Sequence, residues 1–345
     1  MSTIVKIFST TGTDALAQAV FREVKRRMDG IDGHCVELGK SAVSRFSNEN
    51  IEVQVDNVRD HAVLVVHTQT APVNDNLVQL FALLDAINNS HPRRTFVAFP
   101  YMPYSRSDRK NRPRISVMGQ RLPEILNNVL GVRRVLLLEP HSQHLKQYFT
   151  PTADEVPAVP LLINDIKINH LKKWRHEECA LVFADAGAAK RFEEVPSALG
   201  LEQAYIHKIR PDNDERPSVK GITGHVKGRH CFIVDDEILT GNTLIKDAEL
   251  LKSHGAASIH MFAVHGVFSD RKMSQADLMR KLVDSPVDEI VVTDTIPVAN
   301  KAAVAGPKVR VIEIAPLLGE ACKRMLLGES LSELHRYGAL EGLLS

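Results

Sequence analysis

The sequence predicts an α/β protein of two similar halves, each with a mainly parallel sheet flanked by helices. Three observations indicate this class. Short apolar segments typical of strands alternate with segments whose apolar residues recur at helical spacing. The alternation begins again after a turn-rich stretch at residues 151–157. A chain of 345 residues with 44% hydrophobic content can also bury two ordinary cores.

The first domain is expected at residues 1–157 and the second at residues 158–316. In the first, the alternation predicts strands at 4–8, 62–67, 95–99 and 135–138, and helices at 14–28, 74–88 and 117–129. In the second, it predicts strands at 180–184, 204–208, 231–234, 259–264 and 289–293, and a helix through Leu244, Ile245, Ala248 and Leu251.

Two further segments lie outside this alternation. The C-terminal tail, residues 317–345, begins with a helical pattern that ends near Gly328. Periodicity does not decide whether this tail closes the second domain or packs back on the first. The charged, proline-bounded stretch at 211–217 is expected to be an exposed, mobile loop.

The overall charge and the cysteines exclude several classes of function. A net charge of +1, from 43 basic and 42 acidic residues, gives no general attraction to nucleic acid or to an anionic membrane, so an anion site must be local. The four cysteines are far apart and are expected to be reduced, mostly buried thiols, so a structural zinc site is not expected. These cysteines are Cys35, Cys179, Cys231 and Cys322.

No segment has the features of an export signal or a membrane span. The N-terminal apolar run is short and contains Lys6 where a signal peptide would be apolar. No apolar run approaches the roughly 20 residues that cross a bilayer. A soluble, cytoplasmic protein is therefore expected.

The stretch at 232–243 is the most informative in the chain, because an apolar run ends in Asp235 and Asp236 and then enters a small, hydroxyl-rich loop that opens a helix. A helix start offers unpaired N–H groups, so a phosphate over this loop would be bound by amides and by side-chain hydroxyls. The paired carboxylates are natural acceptors for ribose hydroxyls. The alternative is a simple N-cap, but two adjacent acids favour a sugar-phosphate site. The loop residues are Leu239, Thr240, Gly241, Asn242 and Thr243.

A second candidate is the basic stretch at 99–114, where a strand end enters a loop that suits a polyphosphate. Arginine binds phosphate oxygens through two parallel hydrogen bonds, which are stronger than neutral ones. The alternative is a solvated basic loop. The cations of this loop are Arg106, Arg109, Lys110, Arg112 and Arg114.

Three shorter segments add candidate residues. His141 and Asp185 each follow a strand, and such a sparse pair is sufficient for Mg²⁺, which needs few protein ligands beside phosphate oxygens and water. Each is otherwise a capping or packing residue. Lys208 and Arg210 alternate on one face of a strand ahead of the 211–217 loop, where cations could close over a transferring group. The alternative for this pair is a solvated strand edge.

Together these segments resemble the ribose-phosphate diphosphokinase (phosphoribosyl-diphosphate synthetase) family over nearly the whole chain. The resemblance implies two domains of phosphoribosyltransferase type. Further matching segments occur in the family's order at 71–77, 99–110, 185–187, 235–243, 265–269 and 293–297, and His141 falls where the family's metal-binding histidine lies.

The resemblance implies that Mg-ATP donates its β,γ-diphosphoryl group to the C1 hydroxyl of ribose 5-phosphate, leaving AMP. Lys208 and Arg210 would be catalytic, and His141 and Asp185 would bind Mg²⁺. The loop at 235–243, including both acids, would bind ribose 5-phosphate. A homo-oligomer, either a dimer or a hexamer built from dimers, is implied, with no nucleic-acid or membrane partner. The implied ATP-binding residues are Arg106, Ser107, Asp108, Phe46, Asn48, Asn50 and His141.

Three departures from the family pattern concern the ligand sites. Asn48 and Asn50 stand where the family has acids that contact adenine, so ATP is either retained or the nucleotide preference relaxed. Leu239 stands where the family's phosphate loop commonly has a third acid, and Asn242 stands where it commonly has a small residue. Ser107 replaces a glutamine in a nucleotide loop that is shortened over 112–116. Two alternatives stay open, a non-catalytic regulatory paralogue and a phosphoribosyltransferase that consumes the activated sugar.

Overall fold

The computed structural model describes residues 3–31, 33–209 and 219–336. The strands are β1 (Thr3–Ser9), β2 (His34–Leu38), β3 (Ser41–Arg45), β4 (Ile51–Val55), β5 (Ala62–Val66), β6 (Arg94–Phe99), β7 (Arg134–Leu138), β8 (Asp154–Val156), β9 (Cys179–Phe183), β10 (Glu202–Ile209), β11 (Val219–Thr223), β12 (His230–Ile238), β13 (Ser258–Gly266), β14 (Glu289–Thr293) and β15 (Val309–Ile312). The helices are α1 (Asp14–Met28), α2 (Val73–Asn89), α3 (Met118–Glu124), α4 (Val159–Asn169), α5 (Ala186–Arg191), α6 (Val195–Leu199), α7 (Asn242–Ser253), α8 (Gln275–Val283), α9 (Ala299–Ala305) and α10 (Ala315–Leu327).

The chain forms two compact units. The first contains the described residues of Met1–Ala158, Thr295–Pro297 and Ile314–Ser345, and the second those of Val159–Asp294 and Val298–Glu313. Each unit has its own sheet and its own hydrophobic core. This arrangement confirms the predicted α/β class with mainly parallel sheets.

The first unit has a six-stranded parallel sheet in the order β2-β1-β5-β6-β7-β8. Its central strands are apolar on both faces, as expected for a parallel sheet that helices cover. Buried residues of β1, β5 and β6 pack against Leu80 and Leu84 of α2. Strands β3 and β4 form a separate antiparallel hairpin, and every residue of β3 is exposed.

The C-terminal helix α10 packs on α1 within the first unit. Arg27 of α1 bonds the carbonyl oxygen of Pro316 at 3.2 Å and lies 3.5 Å from the carboxylate of Glu320. Gly319 lies so close to Glu23 that a Cβ at this position would overlap its side chain. A glycine therefore permits the close approach of the two helices.

The second unit has a seven-stranded sheet in the order β11-β10-β9-β12-β13-β14-β15, parallel except for the antiparallel pair β10 and β11. Its core includes Leu244 and Leu251 of α7 and Leu278 and Leu282 of α8. These apolar contacts fix α7, and therefore the loop that precedes it, against the sheet.

Every predicted strand and helix is present, with differences at the ends. The helix predicted at 117–129 is α3 followed by a π-helical turn, Ile125–Val129. The strand predicted at 231–234 extends to Ile238. Within the described ranges, no helix has both the length and the apolar character needed to cross a bilayer. Elements that were not predicted are β2, β3, β4, β8, β11, β15, α4, α5, α6, α8 and α9.

Candidate functional site

The loop between β12 and α7 has the conformation expected of a phosphate-binding loop. Gly241 has φ of +68°, a left-handed conformation that side chains disfavour, and a Cβ there would lie 2.6 Å from Leu282. The amides of Phe268 and Ser269 donate to the carbonyl oxygens of Ile238 and Leu239 at 3.1 and 2.9 Å. These two bonds fix the loop. The Asn242 amide donates to Thr240 Oγ1 at 3.4 Å, and the start of α7 is the kind of helix terminus that favours an anion.

The polar side chains of this loop lie around the start of α7 and are partly engaged. Thr240 is half-buried, whereas Asn242 and Thr243 are exposed. The N-cap residue of α7 is Gly241, which has no side chain to cap the helix. Lys281 of α8 donates to the side-chain oxygen of Asn242, which places a cation beside the loop. No local pattern in the sequence indicates this lysine, because it lies far along the chain from Asn242.

The two acids of β12 lie inside the strand rather than beyond its end, because β12 extends to Ile238. The Asp236 amide donates to Asp235 Oδ1 at 2.9 Å, and Arg191 Nη1 lies 3.1 Å from Asp236 Oδ2. Burial, together with the negative charges of Asp236 and Asp185, raises the pKa of the Asp235 carboxyl to about 8. These three carboxylates therefore form one acidic cluster with Arg191 as a counterion.

This pKa predicts a stability that depends on pH. Between the ordinary value of 3.8 and about 8, the folded protein keeps a proton on Asp235 that the unfolded chain has lost. The free energy of unfolding of the ligand-free protein should therefore fall as pH rises through this window. Asp235→Asn removes the effect, so it should be more stable than wild type above pH ~8, by about 1–3 kcal/mol, and show little gain near pH 4. Thermal unfolding across pH measures this, and parallel curves for the two proteins would contradict it.

Asp185 also has a structural contact. It is the N-cap of α5, and its Oδ1 accepts from the amide of Ala188 at 2.8 Å. Asp185 therefore has the capping role that the sequence offers as its alternative. It occupies one carboxylate oxygen and leaves the electrostatic contact with Asp235 in place.

The predicted catalytic pair is only partly described. Lys208 lies in β10, where its backbone is in register with Lys220 of β11. Arg210 and the loop at 211–217 lie outside the described residues. The predicted strand is present and extends over Glu202–Ile209.

The basic loop of the first unit is exposed and has a fixed backbone. The Ser107 amide donates to the Tyr104 carbonyl oxygen, and the Gly119 amide donates to the Ser107 carbonyl oxygen, both at 2.8 Å. The carbonyl oxygen of Asp108 accepts from the Tyr148 hydroxyl at 3.2 Å, and the side chain of Asp108 is buried. Arg106 and the other four cations of the loop are exposed. Positive charge is therefore concentrated on this loop, although the net charge of the chain is only +1.

The candidate adenine contacts lie at the tip of the β3–β4 hairpin. Phe46 is 52% exposed, and Asn48 and Asn50 are exposed beside it. The backbone N–H of Asn50 donates to the side-chain oxygen of Asn48, Oδ1, at 3.2 Å, so the Asn48 side chain helps to shape the turn. A groove between this turn and α2 is lined by Asn50 and by the apolar Val78 and Phe81.

His141 follows β7 in the first unit and is half-buried. The preceding Glu139 has φ of +43° and accepts from the Ala158 amide at 2.9 Å through its side chain. Its own amide donates to the Val156 carbonyl oxygen at 2.9 Å. The backbone that presents His141 is therefore fixed from both directions.

Known proteins resemble the chain over nearly its whole length. Residues 5–129 match a family model described as the N-terminal domain of ribose phosphate pyrophosphokinase, and residues 184–336 match one described as phosphoribosyl synthetase-associated domain. A protein of Ralstonia nicotianae named ribose-phosphate pyrophosphokinase is 34% identical, covering 95% of this chain and 97% of that protein. A protein of Haemophilus influenzae with the same name is 34% identical, with 96% and 98% covered.

A solved structure agrees with these matches. The crystal structure of phosphoribosylpyrophosphate synthetase from Mycobacterium smegmatis superposes with a TM-score of 0.80 at 26% identity, covering 94% of this chain and 99% of that one. The similarity extends over both units, and residues 5–129, which contain the basic loop, match the N-terminal family model. It therefore opposes the alternative of a phosphoribosyltransferase.

Proposed function

The chain belongs to the ribose-phosphate pyrophosphokinase family and is a diphosphoryl transferase, and we propose that it makes phosphoribosyl diphosphate and AMP from Mg-ATP and ribose 5-phosphate. The observation that carries this proposal is the similarity to relatives of that name across 95% of the chain. In such a transfer the C1 hydroxyl oxygen of the sugar attacks the β-phosphorus, and AMP leaves. The protein supplies positioning and charge neutralisation rather than a covalent intermediate.

The acceptor sugar is assigned to the second unit. Its 5-phosphate would lie over the loop from Leu239 to Thr243, bound by the first amides of α7 and by the hydroxyls of Thr240 and Thr243. The sugar hydroxyls would donate to Asp235 and Asp236. On binding, Asp235 would release to solvent the proton that burial keeps on it in the ligand-free protein. Gly241 fixes the shape of this loop, because its φ of +68° and its closeness to Leu282 both disfavour a side chain there.

The nucleotide is assigned to the first unit. Arg106, with the backbone of Ser107 and Asp108, would bind the triphosphate, because guanidinium groups bind phosphate oxygens through paired hydrogen bonds. Phe46 offers a stacking surface for adenine, and Asn48 offers a hydrogen-bond acceptor and donors. The amide in place of a carboxylate keeps an acceptor for the adenine amino group.

Magnesium fits the oxygen-rich cluster of the second unit. Asp185, Asp235 and Asp236 repel one another, as the raised pKa of Asp235 reports, and a hard divalent cation relieves that repulsion. We propose Asp185 as a ligand there, and His141 in the first unit as a ligand of the ion that accompanies ATP. Bound Mg²⁺ supplies neutralisation of charge on the phosphoryl oxygens. Lys208 and Arg210 are proposed to neutralise charge that develops on the transferred group.

A cytoplasmic homo-oligomer, either a dimer or a hexamer built from dimers, completes the proposal. The hairpin and α2 expose apolar side chains, with Val43 at 43%, Phe46 at 52% and Val78 at 53%. Burying such side chains against a second copy is favourable. The four cysteines are all unpaired thiols, which suits a reducing compartment.

The direct test is an assay of the purified protein with Mg²⁺, ATP and ribose 5-phosphate. AMP should form only when all three are present. Arg106→Ala should raise the KM for ATP about tenfold, because one charge-assisted contact is worth roughly 1.5–3 kcal/mol. The exposed Arg59 lies outside the basic loop, and Arg59→Ala should leave the KM for ATP and kcat unchanged. Failure to release a nucleoside monophosphate from ATP or from any other common nucleoside triphosphate would refute the proposal.

A further inference from the structure

A second group of ionisable side chains lies in the second unit at the amino ends of its strands, away from the loop that follows β12. His170 comes directly after α4, His260 lies near the start of β13, and Glu289 is the first residue of β14. Each offers one ligand atom, and these atoms lie within 4.8 Å of one another. We call these three residues the histidine–glutamate cluster. The reaction proposed above uses none of them.

The carboxylate of Glu289 lies against both imidazoles of the cluster. Glu289 Oε2 lies 3.0 Å from His170 Nε2 and 3.2 Å from His260 Nδ1. The geometry at His170 is poor for an N–H donor, so its contact with Glu289 is a close approach rather than a well-aligned hydrogen bond. The His170 side chain is only 5% exposed. A buried imidazole whose contact with a carboxylate is poorly aligned for hydrogen bonding is well placed to share a cation with that carboxylate.

Outer contacts orient the other two members of the cluster. His260 Nε2 lies 2.8 Å from Ser258 Oγ, which leaves Nδ1 directed at Glu289. Glu289 Oε1 accepts from Arg310 Nε at 3.0 Å, and Arg310 makes two further bonds of 2.6 Å to Asp165. Such second contacts on the far side of a histidine or carboxylate are typical of metal ligands. Asp165 also offsets the charge of Arg310, so the negative charge of Glu289 remains for a cation.

We propose that His170, His260 and Glu289 form a binding site for a divalent cation of the Zn²⁺ type. Tetrahedral zinc at bond lengths of about 2.0–2.2 Å separates its ligand atoms by roughly 3.3–3.5 Å. The observed separations of 3.0 and 3.2 Å need to open by only a few tenths of an ångström. Two imidazoles with one carboxylate favour Zn²⁺ over Mg²⁺, which prefers oxygen ligands. Glu289 is 20% exposed, which gives the ion a route and leaves room for water as the fourth ligand.

The cluster has a built-in reporter, because Trp174 is the one tryptophan of the chain. Its ring centroid lies 3.7 Å from that of His230, 5.2 Å from that of His260 and 5.5 Å from that of His170. Binding of an ion to two of these imidazoles changes the surroundings of the indole. Tryptophan fluorescence therefore reads this site apart from catalysis.

The experiment uses the full chain, freed of metal with a chelator and titrated with Zn²⁺. We expect a saturable change in tryptophan fluorescence, with affinity at least about tenfold weaker in Glu289→Gln and in His260→Gln. His254→Gln should bind like wild type, because His254 is exposed at the end of α7. The variants are needed because the acidic cluster near β12 also attracts divalent cations.

Two results would overturn the proposal. One is a wild-type fluorescence that does not respond to Zn²⁺ in large molar excess, and the other is unchanged binding in either folded variant. Circular dichroism checks folding. If both variants fail to fold, the visible spectrum of wild type with Co²⁺ decides the question. A spectrum of tetrahedral, nitrogen-ligated Co²⁺ supports the site, and the absence of such a spectrum at saturating Co²⁺ refutes it.

Discussion

Lys208→Ala should lower the rate of AMP formation by about 10²–10³-fold, the loss usual when one preorganised group that stabilises transition-state charge is removed. The ammonium is proposed to act on charge that develops only as the diphosphoryl group moves. The variant should therefore lose kcat with little change in the KM of either substrate. Steady-state kinetics with ATP and ribose 5-phosphate varied in turn make this distinction.

The fold should survive this substitution. The backbone of β10 pairs with β9 on one side and β11 on the other, and alanine leaves these hydrogen bonds in place. Lys227→Ala is the matched control, since this exposed lysine precedes β12 at the opposite end of the strand from the loop. A rate within threefold of wild type, or a raised KM with kcat unchanged, would remove Lys208 from its proposed role.

Replacing Asp235 and Asp236 together by asparagine should weaken binding of ribose 5-phosphate by more than about 100-fold. Hydrogen bonds to a charged group contribute roughly 1.5–3 kcal/mol each, and two carboxylates are lost. The fold should persist, because asparagine is nearly isosteric and relieves the repulsion that raises the pKa of Asp235. The loss of the charged contact between Arg191 and Asp236, at 3.1 Å, offsets part of that gain. Calorimetric titration and thermal unfolding of the ligand-free protein measure the two effects.

The exposed Glu249 of α7 provides the control for this pair. Glu249→Gln changes the charge of the same unit without touching the β12–α7 loop and should bind the sugar phosphate normally. If the double variant lost thermal stability in proportion to binding, the acids would be structural. Retention of wild-type affinity would move the sugar site elsewhere.

The sequence predicts the long elements of the fold well and the short or ambiguous ones poorly. The apolar runs of β5 and β9 are buried at every position, and α1 and α2 span four turns or more, so their periodicity is clear. Helices α5 and α6 have six and five residues, too few to display a period. The start of α4 is a continuous apolar run, which periodicity alone assigns equally well to a strand. Apolar and polar residues do alternate in β4 (IEVQV), so its sequence is sufficient to predict a strand.

The candidate site divides in the same way. The loop from Asp235 to Thr243 is contiguous, so its residue types indicate a sugar phosphate without any structure. Arg191 contacts Asp236, and Lys281 contacts Asn242, only because tertiary packing brings them together. No local sequence pattern indicates either contact. The histidine–glutamate cluster is assembled from three separate elements and was equally invisible. Residues that act through long-range contacts need the folded chain to be found.

The packing of α10 on α1 has a consequence for how the protein is made. A ribosome delivers α1 early and α10 last, yet Leu317, Leu318 and Ala321 of α10 are wholly buried in the first unit. Domains usually fold as they emerge during translation. Here the N-terminal unit must wait until almost the entire polypeptide has been synthesised before its apolar surface is covered. A nascent chain stopped ahead of Ala315 would present that surface to chaperones and proteases.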